Sequence, residues 1–205
     1  MAKEQKVFLI HGIRSKDKGA ASMGSLAKMI AKTFPFVKRV NYGYVLIPIN
    51  NKKAVTALIE ELQNHDTKTC DVVVIAYSNG CWATVQVAEM GYKIDHMVLI
   101  SPALHKSHAI PEQVKRVDIY YSSGDDIVSL GKVYSTLANI LPWNWKGFGD
   151  PHDWGAMGKY GYVGNDPRIH NWEMGSYVSH FWYRYKTIVS GITKHLNIIY
   201  KKEES

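Results

Sequence analysis

The stretch from position 71 to 88 constrains the fold more than any other part of this chain. Val72, Val73, Val74 and Ile75 form an apolar run of strand length; Ala76, Tyr77, Ser78, Asn79 and Gly80 follow as a turn, and residues 81–88 continue with a helical composition. A short apolar run bounded by a turn reads as a strand buried on both faces. Such strands belong to parallel sheets covered by helices. Where a strand runs straight into a helix, the two approach closely around the turn, so the turn needs small neighbours. Ala76 and Gly80 supply them in an A-x-S-x-G arrangement that leaves Ser78 projecting at the start of the helix.

The rest of the chain repeats the strand–helix alternation. Strands are predicted at 7–10, 37–47, 72–76, 97–100 and 114–121, and helices at 20–34, 54–63, 80–90 and 128–140. The first helix carries Met23, Leu26, Ile30 and Phe34 on one side, and the second carries Val55, Leu58, Ile59 and Leu62. Residues 141–157, rich in Trp, Gly and Pro, read as irregular structure. Two short strands are expected at 159–163 and 168–174, around Gly164-Asn165-Asp166-Pro167, and a final amphipathic helix at 181–196. This alternation predicts an α/β fold: a mostly parallel central sheet with helices on both faces, three layers in all. No repeat or linker interrupts it, so residues 1–200 are expected to form a single domain, with 201–205 as a charged tail.

Composition excludes several classes of function. The net charge is +7, but lysine is spread along the chain and only Lys201-Lys202 forms a dense cluster. No basic stripe interleaved with aromatics suggests nucleic-acid binding. No apolar run reaches the length of a membrane span. The N-terminal Met1-Ala2-Lys3-Glu4-Gln5-Lys6 leads directly into a strand, without the pattern of a secretory signal. Two cysteines, Cys70 and Cys81, make no disulfide framework and read as reduced thiols. The expected setting is the cytoplasm.

Ser78 then calls for chemical partners. A serine hydroxyl is a weak nucleophile until a base takes its proton, and the base is commonly a histidine oriented by a carboxylate. When the serine sits on a strand–turn–helix, acid and base follow it in that order. The acid belongs in a loop after a strand, where Asp125 and Asp126 compete. Either residue also suits a helix N-cap, for the helix expected from Val128. The base belongs between the last strand and the last helix, where His180 stands. His152 is its main rival, and His170 sits in a predicted strand. An oxyanion formed on attack needs N–H donors. One is expected from Asn79 and another from the loop at His11-Gly12-Ile13, with His11 packing or hydrogen bonding beneath that loop.

Taken in order, Phe8-Leu9-Ile10-His11-Gly12-Ile13, Ala76-Tyr77-Ser78-Asn79-Gly80, Gly124-Asp125-Asp126-Ile127-Val128 and Ser179-His180 resemble the α/β-hydrolase family over nearly the whole chain. Ala76 departs from the commoner first glycine of the serine turn. The resemblance implies an α/β-hydrolase fold, with Ser78 as nucleophile, His180 as base, Asp125 as its orienter, and backbone donors at Ile13 and Asn79. It implies no metal or cofactor. The implied activity is a serine hydrolase cleaving carboxylic esters or thioesters of small molecules through an acyl-enzyme. A non-catalytic binding protein, or another acyl-transfer or amidase reaction on the same triad, is the alternative. The short stretch between Ser101 and Val114 leaves little room for a cap, so an open site is expected, with residues 143–162 available as a lid or substrate wall.

Overall fold

A computed structural model describes residues 3–13, 19–44, 52–126 and 155–202. Its centre is a six-stranded sheet in the order β2-β1-β3-β4-β5-β6. The strands are β1 (Gln5–Ile10), β2 (Phe36–Val40), β3 (Asp71–Tyr77), β4 (His96–Ile100), β5 (Arg116–Tyr121) and β6 (Ile169–Glu173). Every neighbouring pair is parallel. The helices are α1 (Ala20–Ile30), α2 (Lys52–Asn64), α3 (Asn79–Glu89), the short α4 (Ala156–Tyr160) and α5 (Lys186–Lys202), the last preceded by a 3₁₀ turn at Trp182–Arg184.

The two-residue period of each central strand sorts its side chains into two cores. On one face Phe8 and Ile10, Val72, Val74 and Ala76, and Met97 and Leu99 pack with Leu58 and Leu62 of α2 and Ala83 and Val87 of α3. On the other face Val7 and Leu9, Val73 and Ile75, and Val98 and Ile100 pack with Met23, Leu26 and Ile30 of α1, Trp182, and Ile192 and Leu196 of α5. Continuous apolar runs in β1, β3 and β4 therefore feed both layers. Among the described residues, no helix is long and apolar enough to cross a membrane.

The chain leaves β1 outward to β2, then returns past β1 to β3. Connections on either side of β1 and β3 thus run in opposite directions, so the carboxyl ends of these two strands form the switch point of the sheet. In open α/β sheets ligands bind at such a point. Between β4 and β5 only residues 101–115 intervene, and they form turns and extended chain with no helix.

The structure corrects the predicted elements downstream. The expected pair of strands around 164–167 does not form. Residues 156–160 are helical as α4, and the second segment alone becomes β6, an edge strand paired in parallel with β5. The last helix begins later than expected and runs on to Lys202. The helix expected at 128–140 and the end of the strand expected at 37–47 lie outside the described residues.

A buried polar cluster ties β4, β5, β6 and α5 together. Asp118 of β5 is fully buried. It accepts hydrogen bonds from His96 Nε2 at 2.7 Å, from Arg116 Nε and Nη2 at 2.7 and 3.0 Å, and from Trp172 Nε1 at 2.8 Å. His96 Nδ1 reaches the Tyr200 hydroxyl of α5 at 2.7 Å. Burial alone would raise the Asp118 carboxyl; the hydrogen bonds from His96 and Arg116 more than offset that and hold it well below the usual carboxylate range. Because the native pKa is depressed, the stabilisation is fully present above the unfolded value of about 4 and is lost as pH falls below it. Asp118→Ala should therefore lower stability by about 3 kcal/mol at pH 7. The gap from wild type should narrow at pH 3, as read by urea unfolding at the two pH values.

Candidate functional site

Ser78 joins β3 to α3 with φ 55° and ψ −122°, a conformation that side chains rarely adopt. Such a residue stores roughly 1–3 kcal/mol of strain, so its surroundings must over-determine it. They do so through the backbone. Ser78 N–H donates to the Ile100 carbonyl at 3.0 Å, and the Ser78 carbonyl accepts from Cys81 N and Ala103 N at 3.0 and 3.2 Å. Two glycines permit the close approach. A Cβ on Gly80 would lie 2.6 Å from the His11 carbonyl oxygen, and one on Gly12 would lie 2.8 Å from Ser78 Cβ. The turn after β1 and the turn after β3 thus touch, and no side chain fits between them.

Three side chains from three loops converge there. His180 Nε2 is 2.8 Å from Ser78 Oγ, and His180 Nδ1 is 2.9 Å from Asp125 Oδ2. All three are buried, Ser78 at 6 %, His180 at 7 % and Asp125 at 2 % exposure. An imidazole that donates Nδ1–H to this carboxylate turns its Nε2 lone pair to the serine hydroxyl. Asp125 lies in the loop after β5, and His180 between β6 and the 3₁₀ turn. Asp126 does not compete: its side chain is 84 % exposed and its partner is Lys159, at 3.5 Å. His170 lies on β6, and His152 falls outside the described residues.

The loops carrying Asp125 and His180 are stitched together by residues that no sequence pattern singles out. The fully buried Ser122 hydroxyl lies 2.7 Å from the Gly175 carbonyl and also contacts the Val178 carbonyl, while its oxygen accepts from Gly124 N at 3.1 Å. The next loop passes so close that a Cβ on Gly124 would collide with the Ser176 carbonyl. From the serine side, the Tyr77 hydroxyl donates to the His180 carbonyl at 3.0 Å, and its ring lies 5.2 Å from the imidazole. Ser122 and Tyr77 read as ordinary turn and strand residues in the sequence; only their burial with a polar atom to satisfy marks them.

Asn79 opens α3 and is fully buried. Ile13 sits half-buried in the loop after β1. His11, buried beneath that loop, stacks on Tyr42 with ring centroids 4.0 Å apart. Burial holds its pKa below the usual histidine value, so the ring is neutral near pH 7. Of the segment expected to form a lid or wall, residues 155–162 are described. There α4 packs inward: a Cβ on Gly158 would lie 3.4 Å from Asp125 Oδ2, and the Gly158 carbonyl accepts from Ser122 N at 3.0 Å. This part backs the acid loop. Among the described residues, no group of three or more His, Cys, Asp or Glu is arranged to hold a metal ion.

No protein-family model matches the chain. No curated protein matches it either. Solved structures do. A lid-less α/β serine hydrolase from Xanthomonas campestris superposes with a TM-score of 0.60 at 13% identity, over 95% of this chain and 81% of that one. An esterase from Pyrococcus furiosus gives 0.59 at 12% identity, over 98% and 82%. A cutinase-like protein from Cryptococcus gives 0.53 at 12% identity, over 94% of each chain. The chain has the α/β-hydrolase fold. In terms of that fold, the serine turn stands at the switch point between β1 and β3, and the loops after β5 and β6 carry the carboxylate and the imidazole.

Removing the Ser122 hydroxyl leaves two carbonyls and one N–H without their shared partner. Ser122→Ala should lower stability by about 2 kcal/mol, measured by urea denaturation, with an unchanged denaturant slope.

Proposed function

We propose that this protein is a serine hydrolase that cleaves carboxylic esters or thioesters of small molecules through an acyl-enzyme. The observation that carries the reading is the unbroken chain of hydrogen bonds from Ser78 Oγ through His180 to Asp125, at 2.8 and 2.9 Å. In the first half-reaction Ser78 Oγ attacks the ester carbonyl carbon as His180 Nε2 takes the hydroxyl proton. The carbonyl oxygen becomes an oxyanion held by the backbone N–H groups of Ile13 and Asn79. The bond to the leaving oxygen or sulfur then breaks, and His180 returns its proton to that atom. In the second half-reaction water attacks the acyl-enzyme with His180 as base, releasing the acid and restoring Ser78. Asp125 keeps the Nδ1–H tautomer and offsets the transient imidazolium charge.

Several features support this assignment. The strained turn sets the serine at the switch point of the sheet, and the short β4–β5 connection keeps a cap from rising between those strands. Esterases and hydrolases recur among the structural neighbours.

The test is turnover of p-nitrophenyl esters from acetate to palmitate. Wild type should hydrolyse at least the short esters, Ser78→Ala and His180→Ala should be inactive, and Asp125→Asn should lower kcat by about 10³–10⁴. Asp126→Asn should stay within about twofold of wild type, because its side chain points to solvent. A wild type that turns over no ester and takes no fluorophosphonate label at Ser78 overturns the reading.

A further inference from the structure

The register of β1 and β2 places one more tyrosine at the site. Ile10 pairs with Val40, so the residues just beyond these strands, His11-Gly12 and Asn41-Tyr42, run side by side. Tyr42 is buried, with its ring stacked on His11 at an interplanar angle of 13°. Its hydroxyl reaches the His11 carbonyl and, at 3.0 Å, the Gly12 carbonyl. The Gly12 carbonyl also accepts from His11 Nδ1 at 2.7 Å, which places the proton of the neutral ring on Nδ1.

Two successive carbonyls are thereby drawn to the Tyr42 side. A trans peptide holds its N–H antiparallel to its C=O, and no peptide bond described is cis. The Gly12 carbonyl shares its peptide plane with the Ile13 N–H, and the His11 carbonyl shares its plane with the Gly12 N–H. Both N–H groups therefore point away from Tyr42. Ser78 lies close against the same loop, its Oγ 3.3 Å from where a Cβ on Gly12 would stand.

We propose that Tyr42 is a positioning residue for the hydrolysis assigned above: its hydroxyl fixes the His11–Ile13 peptides so that the Ile13 N–H faces the oxyanion. The inference rests on that assignment. The role is specific to the transition state, because the ester carbonyl oxygen acquires full charge only after attack. Loss of one oxyanion donor lowers kcat by about 10²–10³. A donor that is loosened, but not removed, should lower it by about tenfold.

Tyr42→Phe keeps the ring stack and removes the hydroxyl. On p-nitrophenyl acetate we expect kcat to fall about tenfold with KM within twofold, and the affinity for phenylboronic acid, which forms a tetrahedral adduct on Ser78, to fall by a similar factor. In the free protein the backbone amides of Gly12 and Ile13 should show faster motion by ¹⁵N relaxation, with the amides of α3 unchanged. A kcat within twofold of wild type, a change confined to KM, or an undiminished boronate affinity overturns the proposal. Unchanged Gly12 and Ile13 amide dynamics do so as well. A wild type with neither turnover nor labelling overturns the hydrolase assignment instead, and the amide measurement then decides on its own whether Tyr42 holds the loop.

Discussion

The architecture of the site depends on one close contact, that between the turn after β1 and the turn after β3. Two positions without side chains make it possible. Gly80 lies against the carbonyls of Ile10 and His11, and Gly12 lies against Ser78. Their hydrogens allow a backbone-to-backbone approach that any Cβ would block. Because of that contact, the turn carrying Ser78 is held against the turn after β1. Helix α3 is buried nearly all round, so the surrounding packing can maintain a strained residue at its start.

The second organising element is the way buried carboxylates are partnered. Asp118 and Asp125 are both removed from water, and both face a histidine. Asp118 is saturated by donors from β4, β5 and β6, including a two-pronged arginine, and its histidine passes on to a tyrosine of α5. That arrangement cross-links the far part of the sheet. Asp125 instead faces a histidine whose second nitrogen meets a serine hydroxyl. The pairs differ in what lies beyond the imidazole: a tyrosine hydroxyl of α5 for His96, and the Ser78 hydroxyl for His180.

Much of this was legible in the chain. Buried parallel strands announce themselves as short apolar runs, and β1, β3 and β4 lie close to where those runs stand. The order of serine, aspartate and histidine in loops after three of the strands was readable too, because a parallel sheet brings all its carboxyl-terminal loops to one edge. The expected strand pair at 159–174 failed for a related reason. Gly164, Asn165, Asp166 and Pro167 read as a turn, but β6 takes its partner from β5, distant in sequence, and α4 uses its small residues to pack against Pro102 and the acid loop. Turn chemistry is local, whereas strand pairing is decided by which edge is free.

The sequence by itself determined the layer architecture, the serine turn and the order of candidate groups, since each is written in residue type and period over a few neighbouring positions. Tertiary structure alone decided which of two adjacent aspartates turns inward, and that Ser122, Tyr77 and Tyr42 hold the loops around the serine. Asp125 and Asp126 are chemically identical neighbours, and the backbone of one loop sets their directions. The tyrosines and Ser122 act through hydroxyls bonded to main-chain carbonyls, 30 residues away for Tyr42 with Gly12 and 103 for Tyr77 with His180. Main-chain carbonyls carry no side-chain signature, so such partnerships leave no pattern in the sequence and exist only once the chain has folded.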